Sequence, residues 1–107
     1  METIRVRDFS RFPGPRYIKL GKFSGEAFRE EKLVPAIERS NGLVQVDLDG
    51  VAGYGSSFLD EAFAGLLRRG DINQAVVIQL VENIKSNDDP FIIEEIKGYI
   101  QDQIDAS

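Results

Sequence analysis

The chain of 107 residues contains neither cysteine nor histidine. Without cysteine there is no disulfide, no thiolate nucleophile and no cysteine-ligated zinc. Without histidine the usual general base and the commonest metal ligand are missing, and a Ser-His-Asp triad cannot be assembled. No apolar run approaches the length of a membrane span. The opening residues, METIRVRDF, alternate polar and apolar instead of forming a signal peptide's apolar stretch. The expectation is a cytoplasmic protein. Positive charge is also scarce: 13 Lys and Arg against 18 Asp and Glu leave a net charge of -5. Phosphate-backbone affinity needs a concentrated basic surface, so nucleic-acid binding is not expected.

What remains is an ordinary globular composition in a length that suits one domain, residues 1–107, with one core. Thr3–Asp8 alternates with Ile4 and Val6 on one side, a half-buried strand. Pro13-Gly14-Pro15 marks a turn, and Tyr17–Leu20 predicts a second strand that pairs with the first as an antiparallel hairpin. Ser24 is a helix N-cap, with Phe23 and Phe28 placed as a hydrophobic staple. The helix carries Arg29, Glu30 and Lys32 on a charged face and Phe28, Val34 and Ile37 toward the core. Pro35 predicts a kink or break near Lys32–Val34, and Ser40-Asn41-Gly42 ends the helix.

Leu43–Leu48 again alternates, with Val44, Val46 and Leu48 inward and Gln45 and Asp47 toward solvent. Asp49-Gly50 and Gly53-Tyr54-Gly55 break this strand. A helix from Ser57 then carries Phe58, Leu59, Ala62, Phe63, Leu66 and Leu67 at helical spacing, ending at Arg68-Arg69-Gly70. Ala75–Val81 is the most continuous apolar run and predicts a central strand. Asp89-Pro90 opens a last helix with Ile93, Ile96, Ile100 and Ile104 along one stripe. The expected order is β-β-α-β-α-β-α, an α/β fold with a two-layer mixed sheet and helices chiefly on one face.

The residues that could carry chemistry lie between that strand and helix. Ser57-Phe58-Leu59-Asp60 fits the capping-box spacing, which accounts for Ser57 structurally. Ser56 reads either as a turn residue or as an exposed, modifiable serine; at a helix N-terminus a phosphate on it would meet free backbone amides. Gly53-Tyr54-Gly55 lacks the third glycine of a dinucleotide turn, because Phe58 takes that place, so the glycines are read as serving positive φ or close packing. Asp47, Asp49, Asp60 and Glu61 form an acidic neighbourhood, but no loop guarantees the convergent oxygens of a hard-cation site. No metal and no cofactor are expected. Arg5, Arg7, Arg11 and Arg16 read as a solvated, aggregation-resistant edge.

A hydrophobic strand, a short turn, two serines and an amphipathic helix resemble the STAS domains of bacterial anti-sigma-factor antagonists. They are closer still to the STAS-like family of small bacterial domains without an assigned function. The similarity runs through GPRY (14–17), FSGEAFREE (23–31) and above all VDLDGVAGYGSSFLDEAF (46–63). It implies a STAS-like fold and a non-enzymatic interaction module. The implied partner is a histidine-kinase-like ATPase or anti-sigma factor, docked at Gly53, Tyr54, Gly55, Ser56, Ser57, Asp60 and Glu61. By position Ser56 is the phosphorylation candidate, with Gly55 in place of the antagonists' aspartate and Phe58 in place of their glycine. The alternative implied at the same turn is binding of a nucleotide or other small ligand.

Overall fold

The computed structural model describes residues 1–106. Three short strands, β1 (Glu2–Arg5), β2 (Val44–Asp47) and β3 (Ile84–Lys85), form a sheet in the order β1-β2-β3. Both pairings are parallel, with Ile4 beside Val46 and Val46 beside Ile84. Parallel neighbours need crossovers, and helices supply them. A single turn, α1 (Val6–Phe9), follows β1. Next comes α2, residues 25–39, built from Gly25–Phe28, Arg29–Leu33 and Val34–Arg39 without interruption. After β2, α3 spans residues 56–69 in the same manner, through Ser56–Leu59, Asp60–Ala64 and Gly65–Arg69. Then come α4 (Gln74–Glu82), β3 and α5 (Phe91–Ala106).

Two expected strands are absent as strands. Tyr17–Leu20 does not pair with β1: Ile18–Leu20 is a 3₁₀ turn, with Ile18 and Leu20 50% and 64% exposed. β1 pairs with β2, and it ends at Arg5 because Val6 turns inward as the buried start of α1. Ala75–Val81 lies within α4, where Asn73 caps the start by accepting from the Ala75 N–H at 2.8 Å. A short continuous apolar run suits a buried strand and a buried helix face equally. Here Val77, Leu80 and Val81 turn inward at helical spacing while Ile78 and Gln79 stay exposed. The third strand is the pair Ile84–Lys85, inside what reads as a polar loop. The sheet is therefore parallel and not mixed.

The features expected around α2 are met in part. Ser24 caps α2, its hydroxyl accepting from the Ala27 N–H at 3.0 Å. Phe9, not a direct staple, joins the two phenylalanines there, with ring centroids 5.5 Å from Phe23 and 5.3 Å from Phe28. Pro35 does not break the helix. The turn before it widens into a π-helical segment, Arg29–Leu33, which accommodates the lost N–H and the pyrrolidine ring. Asn41 and Gly42, at φ 54° and 87°, close α2, with the Gly42 N–H reaching back to the Ile37 carbonyl.

The core is one cluster centred on Phe28, Phe58 and Phe63, with Val44, Val46 and Leu48 from β2. In α5 the buried stripe is Ile92, Ile96 and Ile100, while Ile93 and Ile104 are only half-buried. One sheet face stays half-covered, where Thr3 and Gln45 face each other 3.4 Å apart in register.

Candidate functional site

The turn between β2 and α3 is held from below by carboxylates. Asp47 is 4% exposed instead of solvated, because Arg7 covers it with a 3.0 Å ion pair and Lys85 stands 3.9 Å away. Burial pushes the Asp47 carboxyl up, but the Asp49 N–H and the Arg7 guanidinium together hold it below the usual carboxylate range. Asp49 turns its Oδ1 to the N–H groups of Asn87 and Asp88, at 2.8 and 2.9 Å. Asp88 answers by accepting from the Gly50 N–H at 2.9 Å. These reciprocal bonds fasten the turn to the segment that leads into α5. The glycine that needs its missing side chain is Gly50, at φ 84° with Arg7 packed against it; Gly53 and Gly55 are exposed, and a Cβ on either would meet open space.

Tyr54 is the anchor of the turn. Its ring is 6.0 Å from that of Phe58, and its hydroxyl donates to the Leu48 carbonyl at 2.7 Å. Burial raises its pKa, and the charges of Asp47, Asp49 and Asp88 add to the effect. Beside it lies a cavity of about 260 Å³ lined by Leu48, Val51, Tyr54, Ile92, Asp88 and Glu95, among others.

The serines differ from their expected roles. Gly55 is the N-cap of α3 and Ser56 its first residue, so Ser57 is an exposed first-turn residue and not the cap. No side chain caps this end. Ser56 is also exposed, and it lies near Tyr99 on α5, whose hydroxyl donates to Glu95. Burial, joined by Glu95, pushes the Tyr99 phenol up to about 12 against a smaller opposing pull from Ser56.

Asp60 is not the partner in a capping box. It accepts from Arg16 at 2.6 Å and pairs with Arg68 at 3.3 Å. Burial raises its pKa, and those two arginines more than reverse the effect. Glu61 is 7% exposed and paired with Arg16, Arg68 and Arg29, the last at 2.6 Å. The structure thus places Gly53, Gly55, Ser56 and Ser57 on one open ridge and draws Asp60 and Glu61 beneath an arginine cluster. Arg7 and Arg16, likewise, are ion-paired members of this architecture. Among the described residues no three carboxylates converge as metal ligands, and no helix is long and apolar enough to cross a membrane.

Arg29, Tyr99 and Glu95 are site residues that the sequence pattern hid. Arg29 sits on what reads as a charged helix face; besides its neighbour Glu30, its partner Glu61 comes from another helix. The Glu95–Tyr99 spacing of one helical turn was a usable signal; its arrival beside Ser56 was not.

A three-stranded parallel sheet with crossover helices, and two serines opening the helix after β2, is consistent with a STAS-like α/β domain. The family model described as "STAS-like domain of unknown function (DUF4325)" matches residues 24–89, and the chain belongs to that family. No curated protein and no solved structure matches the chain.

Proposed function

We propose that the chain is a non-enzymatic regulatory interaction module. In this reading it docks a histidine-kinase-like ATPase through the Gly53–Ser57 ridge and is switched by phosphorylation of Ser56. The observation that carries the proposal is the exposure of Ser56 as the first residue of α3, beside a glycine with open space around it. A kinase can reach that hydroxyl. The first-turn amides lack intrahelical acceptors and would receive the phosphate. The likeness to anti-sigma-factor antagonists supplies the partner class. A phosphate adds a charge of about -1.5 to -2 on a surface the partner must desolvate, and it competes with Glu95 for the Tyr99 hydroxyl. Release on phosphorylation follows.

Intact-mass measurement with a histidine-kinase-like ATPase from the same genome, in the presence of ATP, tests this. The expected result is one added phosphate, abolished in Ser56→Ala, with ATPase binding lost in Ser56→Asp. An unmodified chain together with undiminished binding by Ser56→Asp rejects the proposal. The glycine-spaced turn and the uncapped N-terminus of α3 support a second reading, direct binding of a nucleotide or other small ligand. A nucleotide that favours the native state would raise the melting temperature, so a thermal-shift series separates the two readings.

A further inference from the structure

Resting on the docking reading, we infer that the cavity beside Tyr54 receives a basic side chain, an arginine or lysine, from the docking partner. Its floor is apolar, from Leu48, Val51 and Ile92, and its rim carries Asp88, Asp89 and Glu95. Such a lining suits a side chain with an aliphatic stem and a cationic head. Several of the donors around it are spent within the chain. The N–H groups of Asp49, Gly50, Asn87 and Asp88 all donate to carboxylates, and that of Ala52 donates to the Arg11 carbonyl at 2.8 Å. The Tyr54 hydroxyl goes to Leu48 and the Ser86 hydroxyl to the Asp89 carbonyl. With Asp88, Asp89 and Glu95 on its rim, what the cavity presents to an incoming group is chiefly acceptors and negative charge. A phosphate finds repulsion there, and a guanidinium finds carboxylates.

The neighbouring surface is built for contact. Phe91, adjacent in sequence to the cavity residue Ile92, is 83% exposed, and Phe12, next to the Arg11 that binds the turn, is 75% exposed. Exposed aromatics flanking a charged pocket are the usual anchors of a protein interface. The chain's net charge of -5 draws a basic partner surface in the same direction.

The test is a ¹⁵N–¹H NMR titration of the full chain with acetyl-Gly-Ala-Arg-Ala-Gly-amide, its glutamate counterpart and ATP. The expected outcome is saturable shifts for the arginine peptide at Gly53, Tyr54, Asp89, Ile92 and Glu95, with none from the glutamate peptide. Asp89→Asn and Glu95→Gln should each weaken the affinity roughly two- to fivefold, as expected for partly exposed ion pairs. Equal shifts from both peptides, shifts confined to other surfaces, no saturable shift, or ATP-induced shifts at these amides would overturn the inference. Phosphorylation of Ser56 is measured on the same preparation. A modified Ser56 with an unresponsive cavity rejects the basic side chain and leaves the docking reading intact; the reverse pattern rejects the switch alone.

Discussion

Arg29 donates at once to the Glu61 carboxylate, at 2.6 Å, and to the Glu61 backbone carbonyl, at 2.7 Å. The two residues lie in π-helical segments of adjacent helices, Arg29–Leu33 and Asp60–Ala64. A π-turn shifts the acceptor pattern of the helix, and here a guanidinium takes up a carbonyl of the widened turn. The pair is nearly enclosed, with side chains 10% and 9% exposed. Glu30 pairs with Arg29 as well, at 2.8 Å, so Glu61→Ala removes charge-assisted hydrogen bonds without stranding the guanidinium and should cost about 1.5–3 kcal/mol. Urea unfolding followed by circular dichroism checks this. A loss below about 1 kcal/mol, as for a surface ion pair, would show that solvent screens the cluster.

The close approach of α2 and α3 depends on Gly25. A Cβ there would stand 2.4 Å from the Phe58 carbonyl oxygen, and backbone cannot step aside as a side-chain tip can. Gly25→Ala should destabilise by at least about 1–3 kcal/mol, the range of overpacked cores. Gly98 lies on the exposed side of α5, where an added methyl group would meet nothing within 4 Å. Gly98→Ala should therefore stabilise by about 0.5–1 kcal/mol through helix propensity. Opposite shifts of the melting temperature in the two glycine variants are the signature.

Caps give a further contrast. The buried Ser24 hydroxyl satisfies an N–H at the start of α2, so Ser24→Ala should cost about 1 kcal/mol or more. Ser57→Ala should stay within about 0.5 kcal/mol, because Ser57 is exposed and Gly55 holds the capping position. Equal losses in denaturation midpoint would contradict this assignment.

These residues also mark where the pattern of the chain was readable. Ser24, the alternation of Val44 and Val46, and the Phe58–Leu66 stripe announce their elements because cap chemistry and periodicity are local. Ser57 fits the capping-box spacing, yet the cap falls two residues earlier, at Gly55, and Asp60 is taken by Arg16, which is distant in sequence. Ala75–Val81 misleads for a different reason: its branched apolar residues satisfy a strand until Asn73 caps it as a helix. Asp47 reads as solvated because the cation that buries it, Arg7, comes from the other side of a parallel crossover. Charge partners and cavities made by remote segments leave no local period.

Acid should loosen the molecule through the same carboxylates. Asp47 and Asp60 both have native pKa values below the ordinary aspartate value. The unfolded chain then binds protons more readily than the native one as pH falls, and unfolding becomes more favourable. Their contribution is complete above the ordinary carboxylate range and is lost as pH drops from about 4 toward the depressed native values. The urea midpoint should therefore fall steeply below about pH 4. Asp60→Asn should lower stability at pH 7 and flatten the acid limb, since one of the groups that link folding to protons is gone. An unchanged slope in this variant would assign the acid sensitivity to other carboxylates.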